Sequence, residues 1–312
     1  MAVVLHGFQS VLAWCVGFTG RVVVIFGLAA VVLVLIEMGV TAGAKGKKKR
    51  GVKRIALITG ASSGLGREYA KGLDRTEKDL DEIWLVARRA DRLTALAETL
   101  THGTRTFPLD LTQPESLTAL KTALTEEGAE VAVLINCAGL GKIGNYAKLT
   151  LAETHNMIDL NDRAAVDVTV TALPFMGPGG RILEICSTAA FQPLQHFGVY
   201  GASKVFLYHY TRALRADLLP RRIRVTAVCP YWMADTEFIP VAKAAEAQGE
   251  KPAIRHFALG VPAARVARRS LRTNRLGMAV STPGLFCTAH RFFSKLIPRE
   301  VLIAFWKVLR RL

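Results

Sequence analysis

Short apolar runs alternate with segments of helical periodicity along the middle of the chain. The runs are residues 54–59 (RIALIT), 83–87 (IWLVA), 106–111 (TFPLDL), 131–136 (VAVLIN), 181–187 (RILEICS) and 222–230 (RIRVTAVCP). Between them, a helix is expected from near Leu65, and a second carries Leu93, Leu96, Ala97 and Leu100 at spacings of three and four. Further helical stretches cover 114–128, 151–173 and 199–218. Strand and helix therefore alternate about six times. That order predicts an α/β fold, a doubly wound parallel sheet with helices on both faces. The near-continuous apolar strands agree, because strands covered on both faces have no solvent side. Ligands of such sheets bind beyond the carboxyl ends of the strands. Polar residues that follow strands directly are thus the candidates for chemistry.

The two ends of the chain follow a different pattern. Residues 22–36 (VVVIFGLAAVVLVLI) are fifteen uninterrupted apolar residues, whereas a spanning helix needs roughly 20. Extension to 44 reaches that length but includes Glu37. Residues 2–20 are also largely apolar, so one spanning helix and a shallow hairpin both stay open. Residues 45–54 (KGKKKRGVKR) then hold seven basic residues. At the far end, Phe292, Phe293, Leu296, Val301, Phe305 and Trp306 are interleaved with Arg291, Lys295, Arg299, Lys307, Arg310 and Arg311. From Pro298 onward the spacing is helical. A basic amphipathic helix of this kind either lies on a membrane surface or packs on the domain or a partner subunit.

Composition sharpens this picture. The 312 residues are 51% hydrophobic, enough for a sizeable core, and carry a net charge of +16. Such a charge points to nucleic acid or to an anionic membrane. The basic run beside an apolar segment reads as a cytoplasmic flank drawn to anionic headgroups, so no nucleic-acid partner is expected. A solvated linker is the alternative. A cleaved signal peptide ending near Ala42-Gly43-Ala44 is opposed by the lack of Lys or Arg before Arg21 and by the basic run that follows. The expected location is a membrane with the main domain cytoplasmic. Translation from Met38 would instead leave a soluble cytoplasmic protein. The five cysteines (Cys15, Cys137, Cys186, Cys229, Cys287) form no CxxC pair and no His/Cys cluster, which suggests neither zinc nor a disulfide framework.

Chemistry begins after the first strand. Thr59-Gly60-Ala61-Ser62-Ser63-Gly64-Leu65-Gly66 lies between the first strand and the first helix. Glycines there permit a tight turn and let backbone N–H groups approach a pyrophosphate at the helix N-terminus. The second strand is followed by Arg88 and Arg89. An acidic residue here would select NAD, and a basic one accommodates the 2′-phosphate of NADP. Arg88 comes first after the strand and is the preferred candidate. The expected cofactor is NADP(H).

Thr59 to Gly66, Asp110, the NCAG run from Asn136 to Gly139, Asn161, Ser187 and the pair Tyr200–Lys204 together resemble the short-chain dehydrogenase/reductase superfamily. The resemblance spans roughly residues 54–236. It implies a Rossmann-like fold in which Gly60, Gly64 and Gly66, with Ser62, Ser63 and Leu65, line the pyrophosphate. Asp110 and Leu111 would contact the adenine edge, and Asn136, Ala138 and Gly139 would wall the cofactor groove. Asn161 would hold a water of the proton relay, and Ser187 would polarise the substrate oxygen. Pro230, Met233 and Thr236 would lie by the nicotinamide. The family usually has Pro-Gly where this chain has Pro230-Tyr231-Trp232, so a different backbone turn is expected there. The resemblance also implies a homo-oligomer, a dimer or tetramer.

The catalytic expectation has a physical basis of its own. Carbonyl reduction adds hydride to carbon and a proton to oxygen, so a positioned acid is required. A tyrosine pKa of about 10 is too high for efficient exchange, and a nearby ammonium lowers it. Tyr200 and Lys204 are four apart and share a helix face. Ser187, thirteen residues before Tyr200, can hydrogen-bond the developing alkoxide. Leu140, Phe191, His196, Phe197 and Trp232 are expected around the substrate, with a lid over about 237–260. The apolar lining points to a hydrophobic lipid-, acyl- or steroid-like carbonyl. A soluble reductase of small carbonyls or sugars and a non-catalytic NADPH-binding sensor or scaffold are the competing readings. The expected division is a hydrophobic segment 1–44, a basic linker 45–54, a catalytic domain 55–275 and a basic amphipathic extension 276–312.

Overall fold

The computed structural model describes residues 51–311 apart from 146, 244–251, 256, 258 and 259, together with the isolated positions Val32 and Gly39. The expectations for segment 1–44, for Met38 and for most of the basic run lie outside the described residues. Among the described residues, no helix is long and apolar enough to cross a membrane.

Seven parallel strands form one sheet in the order β3-β2-β1-β4-β5-β6-β7. They are β1 (Arg54–Thr59), β2 (Glu82–Ala87), β3 (Gly103–Pro108), β4 (Glu130–Asn136), β5 (Arg181–Ile185), β6 (Arg224–Val228) and β7 (Val280–Ser281). The helices that cover the sheet are α1 (Gly64–Thr76), α2 (Ala90–Ala97), α3 (Pro114–Glu126), α4 (Leu151–Ile158), α5 (Ala164–Ala172) and α6 (Gly198–Leu218). After β6 come α7 (Phe238–Lys243), α8 (Ala263–Arg275), α9 (Leu285–Phe293) and α10 (Arg299–Leu309).

Alternation along β1 explains the two-faced core. Ala56 and Ile58 pack with Leu65, Tyr69 and Leu73 of α1 and Val266 and Leu271 of α8. Ile55 and Leu57 point the other way, into Leu120 and Leu124 of α3, Val168 of α5 and Leu214 of α6. Strand order reverses direction between β1 and β4, which opens the crevice where a ligand sits.

Three elements depart from the sequence expectation. β3 starts three residues early, because its backbone pairs with β2 from Gly103↔Glu82 to Pro108↔Ala87 although Thr104, Arg105 and Thr106 are polar. β7 pairs only Val280 with Ala227 and Ser281 with Val228, too short for a periodic signal, and it lies within the stretch assigned to the extension. The long helix expected over 151–173 is interrupted by a π-helical turn, Asp159–Arg163. The far end is helical as expected, with Pro298 one residue before α10. Leu302 and Trp306 are its buried apolar side chains, and the Trp306 indole donates to the Gln195 carbonyl at 3.0 Å. One face of α10 thus packs on the domain.

Candidate active site

The carboxyl ends of β1 and β4 frame the crevice. The Thr59 hydroxyl accepts from the backbone N–H of Cys137 at 3.0 Å and of Ala138 at 3.1 Å, pinning the two strand ends together. Gly60 follows with φ +66°, and a Cβ there would stand 2.7 Å from the Ala138 nitrogen. At Gly66 a Cβ would meet the Gly60 carbonyl oxygen at 2.2 Å. This cradle tolerates only glycine, and the turn opens directly into the N-terminus of α1. A cavity of about 750 Å³ runs from the cradle past Asp110 and Leu111 to Ser187 and Tyr200 and on to α9 and α10. The glycine cradle, the helix N-terminus and the flanking arginines fit a dinucleotide with an extra phosphate.

Most of the expected cofactor residues come together in that cavity. Ser62, Ser63, Gly64, Leu65, Arg88, Ala138, Gly139, Pro230, Met233 and Thr236 all line it. Asp110 is held by the N–H of Thr112 at 3.0 Å and its hydroxyl at 2.8 Å. Burial pushes its carboxyl up, and the Thr112 hydrogen bonds outweigh this, so it titrates below the usual range.

Arg88 and Arg89 both line the cavity, and they engage different partners. Arg88 is exposed and stands 4.0 Å from Asp110. Arg89 donates to the Ser63 hydroxyl at 2.8 Å and the Ser62 hydroxyl at 3.1 Å, at the cradle itself. The strand ends at Ala87, and Arg89 takes the N-cap position of α2, which turns it inward.

Two expected groove residues turn elsewhere. Asn136 is buried, and its amide donates to Thr169 Oγ1 at 2.7 Å, Glu184 Oε1 at 2.9 Å and the Ala165 carbonyl at 3.2 Å. It ties β4 to α5 and β5 instead of walling the groove. Asn161 is also buried, and its side chain is fully engaged. Its oxygen accepts from Leu140 N–H at 2.8 Å, and its nitrogen donates to the Leu140 carbonyl at 2.9 Å and Ser203 Oγ at 3.0 Å. The Asn161 side chain positions the loop after β4.

Tyr200 and Lys204 share the inner face of α6, and both are buried. The Lys204 ammonium donates to the Ile185 carbonyl at 3.0 Å and lies 5.7 Å from the Tyr200 ring centre. Gly139 makes room for Asn161: a Cβ there would be 3.0 Å from Asn161 Oδ1, and in ordinary contact with Lys204 Nζ at 3.5 Å. The expected lowering of the tyrosine pKa is corrected. Burial drives the Tyr200 phenol up, against the pull of the Ser187 hydroxyl, and burial pushes Lys204 down. Two carboxyls near the lysine are also raised by burial, Asp162 to about 7 and Glu184 to about 7.

Around the substrate position, Leu140, Ser187, Phe197 and Trp232 line the cavity as expected. His196 takes a left-handed φ of +65° before α6, and its carbonyl accepts from Gly144 N–H at 2.9 Å. It serves the turn, not the cavity wall. Phe191 packs edge-on to Tyr208 and His290 behind the wall. The bulky pair after Pro230 has a packing reason. Tyr231 lies against Phe286 of α9 with ring centres 4.4 Å apart, and Trp232 stacks toward Phe197 at 6.0 Å. The loop beside the site is therefore bolted to the extension. Sequence reading missed the wall this creates, in which Phe293, Ile297, Val301, Leu302, Phe305 and Trp306 face the cavity. Their helical spacing was visible, but not what they pack against.

Comparison with known proteins adds to this geometry. The short chain dehydrogenase family model matches residues 54–247. "Sulfoacetaldehyde reductase 2" of Chromohalobacter salexigens is 39% identical over 193 residues, 59% of this chain and 74% of that protein. An "NADP-dependent 3-hydroxy acid dehydrogenase" of Salmonella typhi is 32% identical over 190 residues, 60% of this chain and 75% of that one. Among solved structures, a short-chain dehydrogenase from Sphingobium yanoikuyae in complex with NADPH is similar with TM-score 0.65 and 27% identity. It covers 80% of this chain and 94% of that chain.

Proposed function

Because the chain belongs to the short-chain dehydrogenase/reductase family and is an NADP-dependent oxidoreductase acting on the CH–OH/C=O pair, we propose that it reduces the carbonyl of a hydrophobic, lipid-like substrate. The observation that carries this reading is the apolar wall. Side chains of α9 and α10 continue the same cavity that holds Tyr200 and Ser187. A small polar aldehyde would leave that wall unused.

NADPH, when bound, supplies the hydride. The chain's own residues do the rest. Gly60, Gly64 and Gly66 bring backbone N–H groups to the pyrophosphate, and Arg89 with Ser62 and Ser63 receives the 2′-phosphate. Tyr200, kept protonated by burial, donates its proton to the carbonyl oxygen. Ser187 hydrogen-bonds the same oxygen as charge develops on it. Lys204 holds the ribose and supports the tyrosine as it becomes phenolate. A protonated acid at rest suits reduction over oxidation.

The exposed side of α9 and α10 supports a membrane-facing placement. Phe292, Leu296 and Val308 point outward beside Arg291, Lys295 and Lys307. Apolar side chains ringed by cations suit an anionic lipid surface.

A second reading is a reductase of small polar carbonyls, favoured by the likeness to a sulfoacetaldehyde reductase. The two differ in one measurement. NADPH oxidation with ketones of increasing chain length should give kcat/KM rising with length. A maximum at a small charged aldehyde would overturn the lipid-like reading.

A further inference from the structure

A lid carboxylate occupies an anion site in the cofactor cleft. Glu237 directly precedes α7, yet its side chain crosses to the adenosine end of the cleft. Its carboxylate accepts from Arg89 Nη1 at 2.9 Å and from Arg92 Nη1 at 2.5 Å. Arg89 also donates to Ser62 and Ser63, whose oxygens it occupies and whose hydroxyl protons stay free for an anion. Two guanidiniums and two hydroxyls therefore gather at the start of α1, where the dipole adds positive potential. The preceding residue is anchored locally, since the Thr236 hydroxyl donates to the Met233 carbonyl at 3.0 Å.

We propose that Glu237 is a built-in mimic of the cofactor's 2′-phosphate, holding the arginines and clasping the lid until that phosphate displaces it. This rests on the reading of Arg89, Ser62 and Ser63 as the 2′-phosphate site. A phosphate monoester carries about −1.5 to −2 charge at neutral pH against −1 for the carboxylate. It also presents three oxygens to the paired guanidiniums. The two anions repel at this distance, so entry of one expels the other. A bare 2′-hydroxyl brings no charge and leaves the clasp shut.

The consequence reaches the substrate. Glu237 leads straight into α7, where Phe238 lies 5.4 Å from the Tyr200 ring and Ala242 is buried in the same cluster. Release of the clasp thus frees the helix that covers the catalytic tyrosine. Glu237 becomes a residue that sets the choice between NADPH and NADH, by making only the former able to open the lid.

Calorimetry on the full chain with adenosine 2′,5′-bisphosphate and with 5′-AMP tests this. In Glu237→Gln the bisphosphate should bind about 5- to 10-fold tighter, the scale of two exposed ion pairs removed as competitors. AMP affinity should not change. Amide exchange over 236–243 should rise in the wild type with bisphosphate but not with AMP, and should already be high in Glu237→Gln. Unchanged or weaker bisphosphate binding in Glu237→Gln would overturn the mimic. So would equal exchange with both ligands. In Arg89→Ala, bisphosphate affinity should fall at least tenfold. If it does not, the 2′-phosphate site itself is misassigned, a failure separable from that of the clasp.

Discussion

The Tyr200 ring lies nearly flat on Phe197, with ring centres 4.3 Å apart and planes 21° from parallel. Phe197 is the N-cap residue of α6, directly before Gly198, so its stacking ties the start of the helix to the orientation of the phenol. Loss of the phenol should remove chemistry and spare binding. Tyr200→Phe is expected to abolish ketone reduction while NADPH affinity, measured by fluorescence titration, stays near wild type. Phe197→Ala keeps the acid but frees its aim, and kcat should fall about tenfold or more.

The raised Tyr200 pKa has a direction-dependent consequence. The neutral phenol is the form needed for reduction, so that rate should be level between about pH 6 and pH 9. Oxidation of the alcohol needs the phenolate and should climb with pH across the same window. Initial rates in both directions decide this, and an oxidation rate flat with pH would contradict it.

Glu184 is fully buried in β5, with its pKa raised to about 7. A carboxyl raised on folding favours the fold while protonated. That contribution is complete below its unfolded pKa and is lost as pH rises through about 7. Glu184→Gln removes the ionisation. It should stabilise the protein at pH 8 by on the order of 1–3 kcal/mol and by less at pH 5, as read from denaturant melts.

The cradle predicts an intolerance. A Cβ at Gly66 would stand 2.2 Å from the Gly60 oxygen, a backbone atom with no room to move. Gly66→Ala should cost about 1–3 kcal/mol of stability and eliminate measurable NADPH binding. Gly177→Ala, where nothing lies within 4 Å of the added carbon and φ is not left-handed, makes the control for a glycine-to-alanine change without a clash.

Trp306 joins α10 to the loop before α6 through its bond to Gln195. Trp306→Ala should lower stability by about 3–5 kcal/mol if the site does not collapse. At a temperature where the variant is folded, kcat/KM should fall for long-chain ketones and hold for short ones. Equal losses for both would assign Trp306 to stability alone.

Strand positions were legible wherever burial on both faces made a run continuous. β1 was placed to the residue because none of its side chains meets water. β3 was not, because an edge strand with Thr104, Arg105 and Thr106 is defined by backbone pairing. The shared helix face of Tyr200 and Lys204 could be read from an i, i+4 spacing. The roles of Asn136 and Asn161 could not, since each amide points along an interior that only the folded sheet creates. Arg88 and Arg89 are neighbours in sequence, and a single turn of backbone decides which guanidinium faces the serines. The rise of the Tyr200 pKa was not legible, because it comes first from burial, a property of the whole cluster that spacing along one helix does not show.

The contact of Tyr231 with Phe286 joins two stretches of chain with different duties. The family match ends at residue 247, and the helices that wall the far end of the cavity begin at Leu285. The residues proposed for hydride chemistry lie within the family match, and the apolar far wall of the cavity lies beyond it. On the proposed reading, mutation in that wall should shift the substrate range while Tyr200 stays where it is. The pair Tyr231–Phe286 is the seam at which a transplanted helical wall would have to be fitted.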